Sequence, residues 1–156
     1  MKRGLLLVLL ASLSLLWAAG PQQPINFNHK VHVEGQKMEC TNCHQLATKS
    51  RHSGLPTANL CMACHMVIKA DSPEIKKLAA YKKKGEAIPW VRLYQVPGFV
   101  YYTHRRHVNS GIECKTCHGS TGTTEVSEAT RTFTMGFCMD CHRQKGVSND
   151  CAVCHQ

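Results

Sequence analysis

The amino-acid sequence predicts a mainly α-helical chain with much irregular loop and little or no sheet. Three observations carry that prediction. Ten cysteines fall into five Cys-x-x-Cys-His boxes: CTNCH at 40–44, CMACH at 61–65, CKTCH at 114–118, CMDCH at 138–142 and CAVCH at 151–155. The stretch FNHKVHVEGQKMECTNCH at 27–44 repeats, after one gap, as YTHRRHVNSGIECKTCH at 102–118, and LCMACH at 60–65 repeats as FCMDCH at 137–142. Residues 72–85 carry a full set of helix start and stop signals.

The first 20 residues, MKRGLLLVLLASLSLLWAAG, stand apart from the folded part. Lys2 and Arg3 flank an uncharged stretch from Gly4 to Ala19, the pattern of an export segment. That stretch exceeds an ordinary secretory apolar region yet falls short of the roughly 20 residues of a spanning helix. WAAG before Pro21 is a poor small-x-small cleavage site, so removal as a signal peptide and retention as a membrane anchor both stand. In either case Lys2 and Arg3 stay inside, and residues 21–156 are expected to work in the periplasm.

A first module spans about residues 25–70. In FNHKVH, His29 and His32 sit three apart, a helical spacing that projects both from one side. Residues 71–99 form a linker. Ser72 suits a helix cap, Pro73 its first position, Glu74 its first turn, Lys82 to Lys84 its last turn and Gly85 its stop. Ile75, Leu78 and Ala79 give this helix one apolar stripe for packing. Lys76, Lys77, Lys82, Lys83 and Lys84 give it a solvated face or a docking patch for an acidic partner. AIPWVRLYQVPGFVYY at 87–102 has two prolines and alternating bulky residues, hence an extended strap. Within it Trp90 and Tyr94 are expected to pack against cofactor faces rather than to conduct electrons. The second module, about 100–145, opens on YTHRRH, with His104 and His107 again three apart. Its loop GSTGTTEVSEATRTFT at 119–134 is polar and expected to be exposed. Residues 146–156 add the last box.

Four chemistries compete for the cysteine pairs. The 17 residues between Cys43 and Cys61 and the 20 between Cys117 and Cys138 both match a four-cysteine zinc ribbon. A ribbon does not need a histidine after each pair, however. With ten histidines in 156 residues, five such successes by accident have a chance of about one in a million. The fifth pair also lacks a partner. Disulfides suit an exported chain but leave the histidines unexplained, and a thioredoxin-like redox pair usually occurs once. Covalent haem accounts for all of it: one turn offers two sulfurs to one porphyrin edge as thioethers, and the next residue lifts an imidazole onto the iron. The sequence therefore predicts five c-type haems, on Cys40 and Cys43, Cys61 and Cys64, Cys114 and Cys117, Cys138 and Cys141, and Cys151 and Cys154. Their proximal ligands are His44, His65, His118, His142 and His155.

Five histidines remain, His29, His32, His52, His104 and His107. The two His-x-x-His pairs have the pattern of distal ligands, each pair capping two neighbouring irons. Counting alone nominates His52 for the fifth. The fold is then two repeated di-haem modules plus a C-terminal haem. About 27 residues per haem cannot bury five macrocycles in an ordinary sheet or bundle, so the haems form the core and the covalent links staple it. Charge follows the same logic. The formal +9 falls to +7 without Lys2 and Arg3, and ten haem propionates bring it to about −3. The basic polypeptide is its cofactors' counter-ion, and no nucleic-acid partner is expected.

The series FNHKVH, CTNCH, CMACH, IPWVRLYQVPGFVYYTHRRHV, CKTCHG, TMGFCMDCHR and NDCAVCH resembles the pentahaem cytochrome c subunit of alternative complex III. It is also similar to multihaem subunits of periplasmic quinone oxidoreductase complexes built around molybdopterin-type proteins. The resemblance runs from about Ile25 to His155, and the strap with its histidine pair is its most specific part. It implies a retained N-terminal anchor and a wire of stacked haems. The implied partners are an iron-sulfur, molybdopterin-like subunit, polytopic membrane subunits and a downstream cytochrome or oxidase. The resemblance also places a methionine where this chain has Met135, leaving Met135, His52 or an open iron for the fifth distal position.

Function follows from ligand supply. One distal ligand per haem favours electron transfer over catalysis, which needs a vacant iron and nearby acid-base groups. The expected function is that of a periplasmic multihaem cytochrome in a membrane quinone oxidoreductase, with no catalytic residues of its own. The alternatives are an enzyme acting on a small nitrogen or sulfur compound at an open haem, and a free-standing periplasmic shuttle.

Overall fold

The computed structural model describes residues 22–155. Seven short helices are strung along irregular chain: α1 (Cys40–Cys43), α2 (Ala58–His65), α3 (Pro73–Lys84), α4 (His104–Asn109), α5 (Cys114–His118), α6 (Met135–Lys145) and α7 (Cys151–Cys154). A π-helical turn, Val31–Gly35, and a 3-10 turn, Thr121–Thr123, complete the helical set. Among the described residues there is no β-strand, and the one isolated bridge pairs Val100 with His155, antiparallel. No described helix is long and apolar enough to cross a membrane, and the apolar stretch Gly4 to Ala19 lies outside the described residues.

Every haem box coincides with a helical turn, and the cause is local. A two-residue gap brings both cysteines onto neighbouring faces of one turn. The turns are started by caps. Thr57 accepts a hydrogen bond from the Leu60 amide (3.3 Å) ahead of α2, and Thr134 accepts one from the Phe137 amide (3.2 Å) ahead of α6. These two threonines extend the internal repeat upstream, as TANLCMACH and TMGFCMDCH. Glu39 and Asn42 form a reciprocal capping box at α1.

Helix α3 begins and ends where its signals predict. Pro73 takes the first position, and Gly85 closes the helix in the left-handed region at φ 68°. Ser72 occupies the cap position without a side-chain hydrogen bond. The buried stripe is narrower than expected, because Ile75 and Leu78 are buried whereas Ala79 faces solvent. The stripe packs on Ile25, Ala58, Met62 and Ile88, with Trp90 and Tyr81 against the edge. Each such aliphatic contributes about 1.5–3 kcal/mol on burial. Trp90 donates its Nε1–H to the Pro56 carbonyl (2.9 Å), so it is held to this polypeptide core.

That core is lopsided. Beyond Ile88 no described apolar side chain is buried, and Thr103 is the one buried polar residue. The second module folds without an aliphatic centre of its own, as expected of a chain whose core is a set of cofactors. Residues 87–102 run extended, with isolated turns. No residue of the loop at 119–134 is buried, in line with the expected exposure, yet the loop is tied down. Tyr94 reaches from the strap and shares its hydroxyl with Thr121 Oγ1 (3.0 Å), Thr130 Oγ1 (3.1 Å) and the Thr130 amide (2.9 Å).

Candidate haem-binding sites

Three of the predicted distal histidines face three of the predicted proximal ones. The ring centres of His32 and His65 lie 6.0 Å apart, those of His104 and His118 6.2 Å, and those of His107 and His142 6.2 Å. Metal–imidazole bonds run about 2.0 Å, and roughly 1.1 Å separates each nitrogen from its ring centre, so two imidazoles on opposite faces of one iron stand about 6 Å apart. The three separations match that span. The helical spacing explains the division of labour: His104 and His107 leave α4 on one side and point at two different boxes.

The ring nitrogens are oriented accordingly. His44 Nδ1–H donates to the Gly54 carbonyl (2.8 Å), His65 Nδ1–H to Ile68 (2.9 Å) and His142 Nδ1–H to Ser148 (2.8 Å). On the distal side His32 donates to Asn28 (2.8 Å), His104 to Arg51 (3.0 Å) and His107 to Thr103 (2.9 Å). A carbonyl on Nδ1 places the proton there and leaves the Nε2 lone pair free for a metal. Six imidazoles share this arrangement. His29 differs, with the Ser127 hydroxyl 3.5 Å from its Nδ1.

An aromatic ring is wedged between the histidines of each pair. Phe27 meets His29 edge-on at 4.8 Å and 85°, and lies over His32 at 4.5 Å and 26°. Tyr102 does the same in the second module, edge-on to His104 at 5.0 Å and 81°, and over His107 at 4.7 Å and 33°. Burial has electrostatic consequences. It lowers the His29 pKa to about 4, with His44 and His32 adding repulsion. Burial also lowers His104, against the Arg51 carbonyl, and lowers His118, where His104 and His44 contribute. Such imidazoles stay neutral near pH 7, the state a metal requires.

The thiols complete the fit. All ten cysteines are free. Among the described residues no three or more His, Cys, Asp or Glu side chains converge into a metal cage, so the ribbon-like spacings do not assemble a zinc site. Boxes 61–65, 114–118 and 138–142 each offer a thiol pair beside one imidazole, with a second imidazole opposite, which is the donor set of covalent haem.

The other predicted ligands are less completely placed. His44 acts on His29 electrostatically, in keeping with the repeat, in which the first histidine of each pair serves the box that follows it. His155 has Phe99 as its ring neighbour, at 5.8 Å and 28°. His52 is exposed, and so is Met135 at the start of α6. No ring partner of His155 among the described residues is a histidine. Several contributing residues escape a motif search. Tyr94 stands edge-on to His118 at 4.8 Å, and Thr130 Oγ1 donates to the His118 carbonyl at 2.6 Å. The polar loop thus buttresses a box, and the only sequence signal for it is the run of threonines.

Comparison with known proteins agrees with this geometry. The family model described as cytochrome c7 and related cytochrome c matches residues 25–84 and 100–156, both modules and the last box. A relative from Nitratidesulfovibrio vulgaris (strain Hildenborough), named as the multiheme cytochrome c subunit of menaquinone reductase, is 31% identical over 162 aligned positions, spanning 86% of this chain and 77% of the relative. The chain is therefore an electron-transfer protein with covalent haem c, and it belongs to the family of cytochrome c7 and related cytochromes c.

Proposed function

We propose that the chain carries five haems c and passes electrons along them as the periplasmic cytochrome subunit of a membrane quinone oxidoreductase complex. The observation that carries this reading is the 6.0–6.2 Å separation of facing imidazoles, five of the six with Nδ1 already hydrogen-bonded. Bound haem supplies reversible one-electron chemistry of iron. The polypeptide does the rest. His44, His65, His118, His142 and His155 would hold the irons from one side, and His29, His32, His104 and His107 would close four of the opposite sides. At those four sites a second imidazole would leave no position for a small ligand or water, which keeps the chain a carrier.

The relative's own assembly supports a place beside other subunits of a quinone-reducing complex. Of the finer possibilities, the strap motif favours an assembly of the alternative complex III kind, with iron-sulfur, molybdopterin-like and polytopic partners. The segment from Gly4 to Ala19 then serves as the membrane anchor, and the remainder lies in the periplasm. The test is intact mass and pyridine haemochrome stoichiometry of the chain matured in a host that attaches c-type haem, followed by co-purification from its native membrane. Five haems and co-purifying quinone-site subunits are expected. A colourless product, or a coloured one that leaves the membrane alone, sinks the respective half of the proposal.

A further inference from the structure

We infer that the five attachment boxes stand in space in the order 61–65, 40–44, 114–118, 138–142, 151–155, with the two modules joined where the loop after box 40–44 meets α4. This rests on the haem reading of the boxes proposed above, and it departs from chain order. The boxes with a single neighbour, and so the ends presented to partners, become 61–65 and 151–155.

Within each module adjacency follows from the shared histidine pair. His29 and His32 leave one turn of chain, and His32 faces His65; the repeat assigns His29 to the box that follows it, 40–44, so boxes 40–44 and 61–65 are neighbours. Helix α4 does the same for 114–118 and 138–142 through His104 and His107.

The junction between modules rests on independent contacts. The loop that follows box 40–44 hydrogen-bonds directly to α4. The Arg51 carbonyl accepts from both the backbone N–H and Nδ1–H of His104 (3.1 and 3.0 Å), and the Ser50 carbonyl accepts from the Arg105 amide (3.1 Å). Asn109 Nδ2 donates to the Thr48 carbonyl (3.2 Å), and the Lys30 amide donates to the Thr124 carbonyl (3.1 Å). These contacts set the loop that follows box 40–44 against the helix that precedes box 114–118. Box 61–65 takes no part in this junction, since Met62 of α2 is buried against α3 and Ile25. At the far end the Tyr101 amide donates to the Cys154 carbonyl (2.6 Å) and Val100 pairs with His155, next to Tyr102 and its two histidines. Box 151–155 is thereby attached to the opening of the second module, and residues 143–150 alone separate it in the chain from box 138–142.

Iron-edge anomalous diffraction from crystals of the haem-loaded full chain tests the order, each iron being assigned through its cysteines. The iron at 40–44 is expected to have two near neighbours, at 61–65 and 114–118, and the irons at 61–65 and 151–155 one each. An iron at 61–65 that lies nearer the second module than the one at 40–44 overturns the proposal. In solution the fully reduced chain should show proton cross-relaxation between the haems of boxes 40–44 and 114–118. Its absence, when the cross-relaxation between the two haems of each module is seen, also overturns the order. The intact mass of the same sample counts haems separately. A shortfall, or a Cys40–Cys114 disulfide, defeats the five-haem reading and the order with it, whereas five haems in another arrangement defeat the order alone.

Discussion

The imidazole planes of His104 and His118 lie 4° from parallel across a 6.2 Å gap. The other facing pairs are twisted, His107 and His142 by 33° and His32 and His65 by 58°. Parallel axial rings act on the same iron d orbital and separate it in energy from its partner, whereas crossed rings leave the two nearly equal. Axial geometry is one of the protein's levers on a haem. Low-temperature electron paramagnetic resonance of the oxidised chain should therefore show distinct low-spin species. Their largest g-value is expected to rise from the 118 site through 142 to 65. His32→Met should remove the most anisotropic of the three signals and leave the other two; loss of the most rhombic signal instead contradicts the assignment.

Gly54 holds the acceptor for His44. Its φ of 77° lies in the left-handed region, and a Cβ built there would stand 3.3 Å from Leu46 Cγ. Gly54→Ala is expected to cost about 1–2 kcal/mol from the backbone alone. For a chain of this size that is a fall in Tm of roughly 3–6 °C. Gly98 has no atom within 4 Å of a built Cβ and no positive φ, so Gly98→Ala should change stability by less than about 0.5 kcal/mol. Equal melting temperatures for the two variants would remove the constraint argued for Gly54.

The contrast between those glycines reflects what could be read from the chain before folding. Box positions, histidine pairs and helix α3 depend on residues within a dozen positions of one another, and short-range spacing reveals them. The acceptors that orient the rings are backbone carbonyls, which any residue can supply. The Arg51 carbonyl serves His104 from 53 positions away, and no residue type marks it. The same holds for the 119–134 loop, whose threonines look like solvent-facing polarity until Tyr94 is placed among them. The threonine caps of α2 and α6 are a different case. Extending the comparison three positions upstream, to TANLCMACH and TMGFCMDCH, exposes them without a structure.

Tyr102 offers a pH test of its wedge position. Burial raises its pKa to about 12, with the neighbouring Cys117, Cys138 and Cys114 adding to the effect. The folded chain therefore keeps the phenol proton at pH values where the unfolded chain has lost it. That contribution to stability is complete below the ordinary value of 10.0 and is lost as pH rises towards about 12. Thermal melts of Tyr102→Phe should decline less steeply than the unsubstituted chain across this window. The phenyl ring keeps both ring contacts, so the spectra of the 118 and 142 sites should not change. Tyr102→Leu should alter both sites and spare those of the first module; a Tyr102→Leu spectrum identical throughout shows that the ring positions nothing.

The fifth distal ligand divides two residues by their surroundings. Met135 opens α6, and Cys138 lies three positions on, hence on the same helical face. His52 follows Arg51 instead, in the junction between the modules. Met135 is also exposed, whereas Ala58, its counterpart in the repeat, is buried in the apolar core. A methionine at that position is thus not needed for packing as Ala58 is, and its thioether is free to act as a ligand. Met135→Leu should convert one haem in five to a high-spin form that binds carbon monoxide when reduced, and should lower the highest potential of the set, since thioether ligation raises it. Met135→His should restore the low-spin state at a lower potential. His52→Ala should leave spin state and carbon monoxide binding as they were; if it is His52→Ala that opens an iron, the assignment to Met135 is wrong.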